Sequence, residues 1–241
     1  MKKLILAGAA SVFMTGAAMA VDAPMMTPGV TYDWTGFYVG LFAGGAWGTV
    51  DVDDVDGYNG VTAGDFSYNV NGFHGGGLGG YSWQRDSLVF GVEGELGYLG
   101  LDDSAQLPAF VGVRLPGDSR SSMDTGLFAS LTGRAGIAAG NLLFYIKGGV
   151  VGLDTDVSFI DTDPTGTTLA SGTSASDFMV GWTGGGGLRI GLANGWIVGG
   201  EYMYNDLGDI NVRATSAGAT VFNFNHDVVV HTAKVVIGKR M

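Results

Sequence analysis

Eight segments of this chain put apolar residues on every second position, and the links joining them alternate between short and long. The segments cover residues 34–49, 69–84, 88–101, 124–138, 142–153, 177–192, 196–206 and 227–241. A period of two belongs to a strand with one apolar face, not to a helix. The links at 85–87, 139–141 and 193–195 are tight turns containing Asp, Asn and Gly, residues that favour such turns. The links at about 50–68, 102–123, 154–176 and 207–226 are long and polar. That rhythm collects the long loops at one end and the short turns at the other, as in an outer-membrane barrel with an even number of strands. A soluble sandwich has no reason to sort its loops this way. Each segment is long enough for a tilted strand to cross a bilayer, which takes ~9 to 11 residues. The expected fold is all-β, an eight-stranded antiparallel transmembrane β-barrel.

The two faces carry the next constraint. In 88–101, Leu88, Phe90, Val92, Leu96 and Tyr98 share one face, while Glu93 and Glu95 share the other. Arg134, Lys147, Arg189, Glu201 and Lys234 likewise fall on the less apolar face of their segments. An unpaired charge in an apolar interior is costly. These seven residues are therefore the candidate site: three carboxylates and four cations forming an ion-pair network inside a barrel whose apolar face meets lipid. The same face carries Gly40, Gly44, Gly91, Gly97, Gly181, Gly185 and Gly187. A narrow interior crowded by long side chains needs such small neighbours, whereas a water-exposed strand gains nothing from them.

The three Glu all lie in strands, and the other 20 of the 23 acids are Asp in loops, turns, strand ends or the N-terminal tail. Aromatic residues gather near both ends of the strands. Trp34, Trp83 and Trp196 lie beside the short turns or the N-terminal tail, and Trp47, Tyr98, Trp182, Tyr202 and Tyr204 lie toward the long loops. They are expected to form two interfacial girdles.

The first twenty residues read as a signal peptide, with Lys2 and Lys3, an apolar stretch, and Ala18-Met19-Ala20 at an expected cleavage site. Residues 21–33 are then a short N-terminal periplasmic segment, and 34–241 the barrel. With no cysteine, the chain has neither disulfides nor a thiolate metal site. A net charge of -11 argues against nucleic acid as a partner.

Four stretches carry a family resemblance: "DWTGFYVGLFAGGAWG" from Asp33, "LVFGVEGELGYLG" from Leu88, "SLTGRAGIAAGNLLFYIKGGVVG" from Ser130, and "VGWTGGGGLRIGLANGWIVGGEYMYNDLG" from Val180. In this order the chain resembles the small porin-like outer-membrane β-barrel family that includes surface antigens of alphaproteobacteria. The resemblance implies an eight-stranded barrel similar to the membrane domain of outer membrane protein A. It also implies envelope-structural and surface-interaction roles, and brings no enzymatic site. The family usually ends in an aromatic residue that the barrel-assembly machinery reads; this chain ends in Ile237-Gly238-Lys239-Arg240-Met241.

Other motifs carry less. Gly75 to Gly80 matches G-x-G-x-x-G formally, but no helical period follows to meet a pyrophosphate. The acidic runs from Asp51 and Asp161 lack the Glu that closes a calcium loop, with Thr62 and Gly172 in that position. No serine motif stands ready for a histidine base. No catalytic residue, cofactor or metal is expected. The function read from the sequence is a structural and surface-interaction protein of a Gram-negative outer membrane, with a plugged interior. Its expected partners are outer-membrane lipid and lipopolysaccharide, the barrel-assembly machinery and an unidentified surface ligand. The alternatives are a narrow small-solute porin and a loop-borne receptor, for haem for example.

Overall fold

The computed structural model describes residues 32–54, 66–106, 120–162, 168–173, 177–216 and 220–241. The expected signal peptide with its cleavage after Ala20, and the central parts of the long links, lie outside the described residues. The strands are β1 (Gly36–Asp54), β2 (Phe66–Arg85), β3 (Leu88–Gln106), β4 (Arg120–Ala139), β5 (Leu142–Thr162), β6 (Thr168–Thr173), β7 (Asp177–Gly191), β8 (Trp196–Ser216) and β9 (Val221–Arg240).

Eight of them close into an antiparallel wall. β1 pairs with β2, β2 with β3, β3 with β4, β4 with β5, β5 with β7, β7 with β8, β8 with β9, and β9 returns to β1. The short β6 lies beyond the start of β7, paired with the far end of β5 and with β8. Closure gives each of the eight wall strands a partner on both sides, as a hydrocarbon solvent requires. At the seam Gly44 faces Lys234, and a Cβ on Gly44 would lie 2.6 Å from the Lys234 Cα. Only glycine lets β1 approach β9 this closely. The short links turn through positive φ at Asp86, Gly140, Asn194 and Gly195, as tight strand connections do.

The outward face carries a continuous apolar belt. It runs from residue 37 to 47 on β1, 73 to 83 on β2, 88 to 98 on β3 and 127 to 137 on β4, each bounded by a large exposed apolar side chain. Eleven residues tilted by roughly 40° rise about 25 Å, the height of a membrane belt.

The strands continue past the belt only at the long-link end, reaching Asp54, Thr162 and Ser216. They are therefore longer than alternation alone indicates, and stretches expected to be loop are wall. The pattern of the two faces inverts there. Outside the belt Asp51, Asp53, Asn69, Asp124, Asp154, Asp156, Asp209 and Asp227 point outward and are exposed. Val50, Val70, Leu99, Leu101, Val151, Leu153, Leu207, Val228 and Val230 fill the inside as one buried cluster with Tyr68, Phe128 and Met179. The physical reason is the solvent. Within the bilayer the exterior must be apolar, whereas beyond it the wall stands in water and folds as a soluble core does. β1 crosses this boundary with unbroken register. Irregularities at 98–102, 125–128 and 206–209 lie close to it in β3, β4 and β8, where bulges commonly occur at barrel rims.

Candidate functional site

Between that cluster and a second apolar cluster at the short-turn end lies a layer of charge. Glu93 and Glu95 come from β3, Arg134 from β4, Lys147 from β5, Arg189 from β7, Glu201 from β8 and Lys234 from β9. Six of the eight wall strands thus contribute, and all seven side chains are at most 2% exposed. Alternation puts each of them on the inner face, and barrel closure brings residues as distant as Glu95 and Lys234 together.

Lys147 is the hub. Its Nζ lies 2.8 Å from Glu93 Oε1, 2.5 Å from Glu95 Oε1 and 2.7 Å from Glu201 Oε1. Lys234 Nζ bridges Glu95 Oε2 at 2.6 Å and Glu201 Oε1 at 2.9 Å. Arg189 Nη2 donates to Glu93 Oε2 at 2.6 Å and lies 3.9 Å from Glu201. Arg134 stands apart: its Nη1 is 3.6 Å from Glu93 Oε2, and its Nη2 donates to the Ser82 hydroxyl.

Two tyrosines complete the layer. The Tyr38 hydroxyl donates to Glu93 Oε2 and the Tyr145 hydroxyl to Glu201 Oε2, each at 2.7 Å. Both arginine guanidinium groups lie over both rings, 4.7 to 5.5 Å from their centroids, a cation–π arrangement that strengthens once water is excluded. Neither tyrosine is among the seven residues that the sequence analysis assigns to the network. Their inward parity beside charged residues was the available signal.

Chemically the layer pairs three carboxylates with four cations. The carboxylate oxygens of Glu93, Glu95 and Glu201 converge within 4.8 Å, a spacing able to hold a metal ion. The ammonium of Lys147 occupies their common focus. His74, buried between Phe42 and Phe128 at centroid distances of 4.8 and 4.6 Å, has no hydrogen-bond partner on either ring nitrogen.

An apolar belt outside and a charged layer inside define a membrane barrel, and the family described as "Outer membrane protein beta-barrel domain" matches residues 6–224. The chain belongs to that family. It is 32% identical over 228 residues to the 31 kDa outer-membrane immunogenic protein of Brucella melitensis, covering 88% of this chain and 90% of that one. It is 27% identical to the 25 kDa outer-membrane immunogenic protein of Brucella abortus, covering 92% of each. The fold matches that of the outer membrane protein OprG from Pseudomonas aeruginosa with a TM-score of 0.52 at 13% identity, covering 88% of this chain and 100% of that one. The protein is accordingly an outer-membrane barrel of a Gram-negative bacterium.

As in outer-membrane barrels generally, aromatic residues border the belt. Trp83 and Trp196 are exposed near the short turns, and Trp47, Tyr98, Trp182 and Tyr202 near the other border, with Tyr204 half-buried beside them. Trp47, Tyr202 and Tyr204 surround His231, whose Nδ1 is 2.7 Å from the Tyr202 hydroxyl. Trp34 corrects the expected girdle. It is 2% exposed and belongs to the interior cluster with Tyr38, Val89, Leu143 and Ile197. Its backbone N–H donates to Gln84 Oε1 at 2.8 Å, and Thr35 Oγ1 accepts from the Gln84 N–H at 3.2 Å. These bonds hold the segment before β1 turned inward, with Trp34 packed inside the short-turn end. Position beside a turn does not reveal which way a residue preceding the first strand points.

Proposed function

We propose that the protein is a non-enzymatic structural and surface-interaction barrel whose interior is closed. The observation that carries this reading is the stack of three layers along the axis: the Trp34 cluster, the seven-residue charge layer and the apolar cluster around Leu153. Eight strands enclose an interior that side chains fill, and here they fill it with mutually paired groups. The carboxylates available for acid–base work are bound to cations and sealed from solvent, which supports a role without catalysis. In this reading the belt meets outer-membrane lipid and lipopolysaccharide, the barrel-assembly machinery inserts the chain, and the acidic extension projects from the cell toward a surface ligand.

Planar-bilayer recording of the refolded protein tests the closure. The expected trace is silent at ion scale, and steady single-channel openings would overturn the proposal in favour of a small-solute porin.

A further inference from the structure

At the outer border of the belt, aromatic residues converge in the sector formed by β8, β9 and β1. Trp47 of β1 lies directly opposite His231 of β9, and Tyr204 of β8 faces the same histidine from the other side. The indole and imidazole rings stack within 13° of parallel at 6.0 Å, and Tyr204 meets the imidazole edge-on at 5.3 Å. Tyr202 completes the group, 6.2 Å from Trp47 and with its hydroxyl on His231 Nδ1. Trp47 and Tyr202 are 42% and 45% exposed, so both rings are open to whatever bounds the belt. Below them the surface drops. In the next row Phe73, Gly45, Ala233 and Tyr202 stand side by side across four strands, large at both ends and small in the middle. A Cβ added to Gly45 would meet nothing nearer than 4.0 Å, so an apolar trough one side chain deep leads down the belt from the rings.

Above the rings the same three strands carry carboxylates. Asp227 of β9 faces Asp51 of β1 on one side and Asp209 of β8 on the other, and Asp206 follows Tyr204 on the outer face of β8. Like charges in direct cross-strand register destabilise a sheet. Burial and the neighbouring carboxylates push the Asp227 carboxyl above its ordinary value. Among the described residues none of these four acids forms a salt bridge, and Arg213, the basic residue of β8, stands four residues beyond Asp209. Open aromatic faces beside unbalanced carboxylates are surroundings that attract a cation, through the ring quadrupole and the local field together. A phosphate would be repelled by the same field.

We propose that this sector binds an outer-leaflet lipid carrying an ammonium group. The ammonium lies over the Trp47 and Tyr202 rings, beneath Asp206 and Asp227, and an acyl chain fills the trough over Gly45 and Ala233. This names a partner for the surface-interaction role proposed above and rests on the acidic extension facing outward; it is independent of whether the interior is closed.

The test uses the full barrel refolded into micelles of an uncharged polyoxyethylene detergent. Amphiphiles sharing a dodecyl chain and headed by trimethylammonium, phosphate or glucose compete for it, and native mass spectrometry reads which stays bound. The trimethylammonium amphiphile is expected to be retained roughly tenfold over the glucoside, with the phosphate weakest. Trp47→Leu combined with Tyr202→Leu removes the ring faces and leaves every charge in place, and this variant is expected to lose the preference. Tyr98→Leu, a like change at the exposed border of β3, is expected to keep it. Equal retention of all amphiphiles, a preference for glucose or phosphate, or an ammonium preference that survives in the double variant would each overturn the proposal. Should the double variant not fold, Tyr202→Leu alone is judged against Tyr98→Leu by the same criteria. Bilayer recording reads the closed interior separately, so failure of either reading is distinguishable from failure of the other.

Discussion

Arg134 and Lys147 lie directly opposite each other on β4 and β5, two cations in register, and Glu93 stands between them. Like charges facing across a strand pair destabilise it. Here one carboxylate faces both, with Oε1 on Lys147 at 2.8 Å and Oε2 toward Arg134 at 3.6 Å. Glu93→Gln removes the mediator and leaves the cations to repel. Breaking a buried pair from one side costs about 3 to 5 kcal/mol, so the variant should unfold at a clearly lower temperature on heated gels. Glu95→Gln, whose residue serves only Lys147 and Lys234, should lose less. Equal mobility transitions for wild type and Glu93→Gln would refute the pairing.

Removing the hub has a different consequence. Lys147→Met leaves three carboxylates converging within 4.8 Å with no cation at their focus. The variant should be destabilised, and refolding it in calcium should restore part of the loss, because carboxylate oxygens are the ligands calcium takes. Wild type should show no such calcium response. A variant whose unfolding temperature ignores calcium would mean that the three carboxylates move apart once the ammonium is gone.

The inversion of faces beyond the belt yields a test with two adjacent residues. Leu153 is fully buried and Asp154 is exposed. Leu153→Asp buries an unpartnered charge and should cost roughly 4 kcal/mol or more, while Asp154→Asn should stay within about 0.5 kcal/mol of wild type. Equal effects from the two would show that the extension has no packed interior.

Trp34→Ala should destabilise the short-turn end by about 3 to 5 kcal/mol, the usual range for emptying a buried tryptophan site. Bilayer recordings of this variant should remain silent, because the charge layer and the Leu153 cluster still close the axis. Conductance appearing on loss of Trp34 alone would make that residue the principal barrier.

Asp33 provides a pH signature at the short-turn rim. The Thr35 N–H donates to Asp33 Oδ1 at 2.8 Å, and this bond, aided by Arg240, holds the carboxyl below its ordinary value. A carboxyl lowered in the folded state contributes stability above its unfolded value near 3.9, and that contribution is lost as pH falls through the folded value. The Thr35 amide shift should therefore titrate with a midpoint under about 3.9, and Asp33→Asn should abolish the step. A midpoint at or above that value would show that the bond does not form in solution.

Much of this architecture is legible before any coordinates. Glu93 and Glu95 in an apolar run already require an inner face on which charge is paired, and the spacing of the links already sorts turns from loops. The extension was not legible, because stretches such as Asp154 to Asp156 carry their acids on the outward face and so read as polar loop. Trp34 was misread for a related reason: composition places an aromatic residue near a border but does not say whether it points outward or in. Tyr38 and Tyr145 were overlooked as partners because a phenol on an inner face looks like filler until its hydroxyl is seen against a carboxylate.

The chain alone determined that strands would form, how many would close the wall, and which side of each would face hydrocarbon, since these follow from a local period of two and from link length. Only the closed tertiary structure decided that Lys147 would gather three carboxylates, that Arg134 would be left short of one, and that the wall would rise past the membrane with its faces exchanged. Those outcomes depend on register around a full circle and on which solvent meets each height of the barrel, and neither is encoded in any single strand.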